Sequence, residues 1–151
     1  MKIMPPLIAL FLLLAVTSLQ AETGLINVAS QFSVQETADR FAAAVEKAGL
    51  KVFSRIDHAA GAAKVEVSLR PTQLIIFGSP KVGTALLSSD QRIGIDLPLK
   101  ALAWRDAEGQ VWLSYNSPDH LFGRFAIDDR APVKAKITGA LAKFSRAATQ
   151  P

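Results

Sequence analysis

Two Asp-His steps, Asp57-His58 and Asp119-His120, contain the only histidines in this chain of 151 residues. An imidazole beside a carboxylate is the chemistry of a borderline-metal site, or of a general base with its orienting partner. If the two steps met in space, His58, His120 and Asp119 could form a two-histidine, one-carboxylate centre for a metal or a haem-associated protein. Neighbouring residues on one strand point to opposite faces, however, so Asp57 cannot easily orient His58 within a strand. Structural roles are the simpler expectation, one pair ending a strand and the other opening a helix. The chain has no Cys, and its two Met residues are Met1 and Met4. Beyond the N-terminus there is thus no thiolate or thioether for soft metals, Fe–S clusters, nucleophilic catalysis or haem ligation.

A second constellation surrounds Gly78. Gly78 and Gly83 are followed by Thr84, which imitates a phosphate-binding loop. No Lys stands between Gly83 and Thr84, and Pro80 lacks one of the amides that would cradle phosphate. A weaker anion site built from Ser79, Lys81 and free amides would remain, but the plainer reading is a turn off a buried strand. Serine-nucleophile elbows are absent, and Ser88-Ser89-Asp90 reads as a polar turn. The carboxylate pairs Asp106/Glu108 and Asp128/Asp129 fall in loops and read as solvated.

The elements that must position these residues follow from periodicity. Leu25 to Ala29 is a short strand. Ser33-Val34-Gln35-Glu36 has the capping-box pattern, and Val34, Ala38, Phe41, Ala42 and Val45 then recur at helical spacing until Gly49 stops the helix. Lys51–Asp57 and Gln73–Phe77 read as strands. Residues 59–72 are ambiguous, Ala-rich at first and then alternating through Val65, Val67 and Leu69. Pro80–Ser88 reads as a short helix and Arg92–Leu97 as a strand. Leu99–Arg105 and Gln110–Asn116 flank Asp106-Ala107-Glu108-Gly109 as a hairpin. Pairing Arg105 with Gln110 puts Leu102, Trp104, Val111, Leu113 and Tyr115 on one face. Trp112 then lies on the other, where residues 59–66, a second subunit or a ligand would have to cover it. Pro132 opens a last helix with the stripe Val133, Ile137, Ala140, Leu141 and Phe144. The expected fold is α+β: one two-layer domain, a largely antiparallel sheet with helices on one face. Its expected core holds Phe41, Val45, Leu102, Trp104, Leu113, Ile137, Leu141 and Phe144.

An ordered set of short motifs carries a family resemblance. Ile56-Asp57-His58 precedes alanines, and Leu74-Ile75-Ile76-Phe77-Gly78-Ser79-Pro80 and Gly83-Thr84 follow. Asp96-Leu97-Pro98-Leu99-Lys100 comes next, and then Trp104 through Tyr115-Asn116-Ser117-Pro118. This series resembles the domain-of-unknown-function family DUF302 over nearly the whole domain, with Ser79 standing where that family has Asn. The resemblance implies a compact two-layer α+β fold, often dimeric, and supplies no activity, so function must be argued from the site.

The first 21 residues read as a secretory leader: Lys2, an apolar run from Leu7 to Val16, and Ala21 at the cleavage point. That run is about ten residues, against about 20 for a bilayer span, so no stable membrane anchor is expected after cleavage. The domain is then residues 22–151, exported to the periplasm or beyond. Loss of Lys2 lowers the formal charge from +4 to +3, which serves solubility. Five basic residues from Arg130 onward (Arg130, Lys134, Lys136, Lys143 and Arg146) have no interleaved aromatics of the kind nucleic acid requires, so no nucleic-acid partner is expected. The leading expectation is a non-enzymatic module, without cofactor, that binds a small apolar ligand or a protein. Its candidate contact residues are Asp57, His58, Phe77, Ser79, Lys81, Trp112 and Tyr115. The alternatives are the metal or haem site on His58, His120 and Asp119, and a homodimeric accessory factor without a small ligand.

Overall fold

Ser33 stands in extended backbone, and its Oγ accepts the Glu36 N–H at 3.1 Å, satisfying one of the orphan donors of a helix start. The helix it opens, α1 (Val34–Lys47), buries Val34, Thr37, Ala38, Phe41, Ala42 and Val45. At its other end Gly49 adopts φ +77°. The Gly49 N–H donates to Glu46 O and the Leu50 N–H to Val45 O, the paired bonds of a Schellman stop. That stop turns Leu50 back against the core. The computed structural model describes residues 23–151, so the expected leader lies outside the described residues.

Five strands, β1 (Leu25–Ser30), β2 (Lys51–Asp57), β3 (Thr72–Gly78), β4 (Leu99–Arg105) and β5 (Val111–Asn116), form one sheet in the order β1-β5-β4-β3-β2. Every pairing is antiparallel. The remaining helices are α2 (His58–Ala63), α3 (Pro80–Leu87), α4 (Pro118–Arg124) and α5 (Ala131–Thr149). Helices α1 and α5 pack together over one face of the sheet, giving the expected two-layer α+β arrangement. Phe41 is the centre of this layer. It is wholly buried and meets Phe77 edge-on at 5.1 Å and Phe144 at 6.1 Å between ring centroids, so sheet, α1 and α5 share one aromatic seam. Burial of such a side chain contributes about 1.5–3 kcal/mol.

The hairpin register differs by one residue from the expected one. Arg105 pairs with Val111, Trp104 with Trp112 and Ala103 with Leu113. Asp106 faces Gln110 through a 2.9 Å backbone bond, and Gly109 takes φ +90°. The loop is therefore the three residues 107–109 with glycine in the left-handed position, a shorter solution than the four-residue loop. A one-residue slip exchanges faces. Leu113 and Tyr115 face the helices as expected, but on β4 it is Ala101 and Ala103 that do so. Leu102 and Trp104 stand on the opposite face, half-buried beside Trp112. The small alanines let the bulky stripe of α1 approach β4 closely.

One further expectation is corrected and one ambiguous stretch is settled. Arg92–Leu97 is not a strand. Asp90 accepts the Arg92 N–H on Oδ1 at 2.8 Å and caps a 3-10 helix over Gln91–Ile95. In that turn Ile93 is buried while Ile95 is exposed. Residues 59–72 divide into α2 and an irregular return in which Val65, Val67 and Leu69 are all exposed, so their alternation is not a strand.

Candidate functional site

Strand β3 ends at Gly78, and Ser79 then caps α3, its Oγ accepting the Val82 N–H at 3.3 Å with Pro80 at the first helical position. Helix α3 is pinned from below by Leu86, which is fully buried. It is tied to the start of α5 by Arg130, whose Nε donates to Ala85 O at 3.1 Å. The chain returns to β4 through Leu97 and Pro98. That segment is held by Arg124, which donates to both carboxylate oxygens of Asp96, and by Lys100, which donates to the Asp96 and Pro98 carbonyls.

Between these supports lies a cavity of about 450 Å³. Phe77, Ile137, Leu141 and Phe144 form its buried floor, and Leu50, Val82, Leu87, Leu97 and Leu99 its walls. Phe53 stands at the mouth, 43% exposed. The register of β2 on β3 shifts between Val52 and Ser54, so Phe53 is the extra residue of a bulge, a device that re-aims a side chain. The charged residues lining the cavity are Lys81 on α3 and Lys136 on α5, and no Asp or Glu lines it. A hollow of this size, mostly apolar with a few polar groups at the edge, is the usual form of a small-molecule site.

The opposite end of the same layer holds a smaller hollow of about 340 Å³, lined by Ser33, Gln35, Asp57, Thr72, Gln73 and Arg105 among others. Beside it runs a chain of mutually satisfied polar groups. Gln35 donates to Asp39, Arg55 donates to Asp39 at 2.6 Å and to Gln73 at 3.0 Å, and Gln73 donates back to Gln35. Burial alone would raise the Asp39 pKa, but the hydrogen bonds from Gln35 and Arg55 and the Arg55 charge outweigh it and hold the carboxyl below its ordinary value.

Of the residues expected to form a site, the cavity gathers Phe77, Ser79 and Lys81. Asp57 instead caps α2, accepting the Ala60 N–H at 2.9 Å, and His58 follows it in an exposed position. Tyr115 is buried under the helices. The Trp112 indole N–H donates to Asp106 Oδ2 at 2.7 Å on the far face. That bond, with burial opposing it and backbone amides assisting, lowers the Asp106 pKa. His58 follows one edge strand, whereas the His120 ring stands against the backbone of Gly24, just before the other edge strand. Four interstrand steps at about 4.8 Å separate them by roughly 19 Å across the sheet alone, and they lie toward opposite ends of the strands, far beyond sharing an ion. Asp119 pairs with Lys134 at 2.5 Å. Among the described residues no group of three His, Asp or Glu is placed to hold a metal. Sequence reasoning missed Leu50, Phe53, Leu97 and Lys136. The one available signal was the Lys136, Ala140, Phe144 spacing, which puts a lysine at the end of an apolar helical row.

A profile of the family described as "Domain of unknown function DUF302" matches residues 26–144. The chain belongs to that family. The fold agrees: a crystal structure described as an uncharacterized conserved DUF302 protein from Bacillus stearothermophilus superimposes with a TM-score of 0.74. At 16% identity, the alignment covers 83% of this chain and 98% of that one. This DUF302 domain is also 45% identical over 120 residues to a protein of Brucella suis named "Fluoride-specific ion channel FluC 1", covering 78% of this chain and 47% of the relative. A Brucella melitensis protein named "Fluoride-specific ion channel FluC 2" matches at the same identity over 44% of its length. The chain thus spans less than half of these curated relatives, and no described helix is long and apolar enough to cross a membrane.

Proposed function

We propose that this DUF302 domain is a non-enzymatic binding module, acting after export, that takes a small apolar ligand into the cavity between α3, α5 and the ends of β2, β3 and β4. The observation that carries the reading is the hollow of about 450 Å³ reaching the aromatic seam at Phe77 and Phe144. A concave, mostly apolar hollow of this size is the form that small-molecule sites take. Export is supported by the Lys2, Leu7–Val16, Ala21 pattern. The channel name of the Brucella proteins stays with those longer chains. The test is a fluorescence titration with N-phenyl-1-naphthylamine, a neutral apolar dye. Saturable one-to-one binding is expected, and the absence of any saturable emission change would refute the reading.

A second reading concerns the face away from α1 and α5. Leu74, Ile76, Leu102, Trp104 and Trp112 are half-buried there and Ile56 is 40% exposed, an apolar surface broad enough to associate. A second copy of the chain is the proposed occupant. Light scattering should give a dimer that Leu102→Lys converts to a monomer; a monomeric wild type would dismiss it.

A further inference from the structure

Resting on the cavity reading above, we infer that the ligand is a single-chain amphiphile with an anionic head, of the fatty-acid class, its tail in the cavity and its carboxylate at the rim between Lys81 and Lys136. The interior sets the tail. A hollow of about 450 Å³ lies toward the lower end of the roughly 300–1,000 Å³ of small-molecule sites, a size suited to one medium-length acyl chain. The lining sets the head. Both charged residues on the cavity are lysines from different helices, and neither forms an ion pair with a described carboxylate. Some cations elsewhere are neutralised, Lys134 by Asp119 and Arg124 by Asp96, while Lys143 and Arg146 of α5 are not; Lys81 and Lys136 are set apart by flanking an apolar hollow. A third ammonium, Lys51 Nζ, lies 5.6 Å from the ring of Phe53 at the mouth. The rim therefore carries uncompensated positive charge around an apolar hollow, complementary to an anion that keeps its charge in water and buries only its chain.

The chemistry gives a sign test. An apolar cavity without the lysines would prefer an alcohol to a carboxylate of equal chain length, because the charged head costs more to desolvate. With the lysines the preference reverses. Decanoate and decanol are each used to displace N-phenyl-1-naphthylamine from the wild type, from Lys81→Gln/Lys136→Gln and from Lys143→Gln, a control on the exposed side of α5. Decanoate should displace at lower concentration than decanol from the wild type and the control. In the double variant decanoate should weaken by about two- to twenty-five-fold, since an exposed ion pair accounts for about 1.4- to fivefold, while decanol is unchanged. Equal or stronger displacement by decanol from the wild type would overturn the anionic head and leave the cavity reading standing. Failure of both to displace bound dye would overturn both readings. A membrane lipid as source is addressed with phosphatidylglycerol–phosphatidylcholine vesicles: sedimentation of the protein with vesicles, undiminished by decanoate, would also overturn the inference.

Discussion

The two ends of the helical layer are built from the same elements and behave oppositely. Helix α1 starts at Ser33 beside one hollow and stops at Gly49 beside the other. At the starting end, Gln35, Asp39, Arg55 and Gln73 satisfy one another, so an incoming polar group would have to break bonds already made. At the stopping end the walls are apolar and the lysines have no acidic partner. One end has most of its polar lining spent on internal bonds, with Arg105 the exception; the other is apolar with a basic rim. Concavity alone therefore says little about binding, and what the lining groups have left unpaired says more.

The comparison can be broken or sharpened by substitution. The largest effect is expected from Phe41→Ala, midway between the ends, where loss of the ring that meets Phe77 and Phe144 should cost about 3–5 kcal/mol in a urea unfolding curve. Both ends should loosen together; a loss confined to one would show that they are not one cooperative layer. Ala140→Phe, on the cavity wall, should weaken N-phenyl-1-naphthylamine binding at least about tenfold, with stability changed by less than about 1.5 kcal/mol because the ring enters empty volume. Ala59→Phe in the polar hollow should leave dye binding alone, and a loss there would erase the distinction. Ser33→Ala removes the cap at the polar end and should lower stability by about 1 kcal/mol, with faster amide exchange in the first turn of α1 and no change at α3.

The smallest effect is acid sensitivity at the polar end. The folded-state pKa of Asp39 is depressed. Its contribution is therefore fully present above the ordinary carboxylate range and is lost as pH falls through the folded pKa. For so exposed a pair the contribution is about 0.2–1 kcal/mol. Asp39→Asn should remove that portion of the acid-induced loss, seen as a shallower fall in thermal midpoint below pH 4, while Lys81→Gln should not alter it.

Much of the frame was legible in the chain because local signals agreed. Ser33, Gly49 and the stripe from Val34 to Val45 each specify α1 independently, and the α5 stripe buries Ile137, Leu141 and Phe144 as expected. The hairpin register was not legible, since both faces of β4 are apolar and side-chain size pointed to Leu102 and Trp104. What α1 requires is small residues beneath it, a demand that belongs to tertiary packing. Alternating Ile93 and Ile95 imitated a strand until the Asp90 cap decided the matter. The cavity was legible only where it is contiguous, at Phe77, Ser79 and Lys81. Leu50, Phe53, Leu97 and Lys136 come from separate elements that only the fold assembles.

Trp104 and Trp112, the two tryptophans of the chain, face each other across the β4–β5 ladder. All indole emission therefore originates on one side of the sheet, and neither ring lines the cavity. A non-absorbing occupant of the cavity, such as decanoate, touches neither indole, whereas a second copy seated on the bare face would change their emission at once.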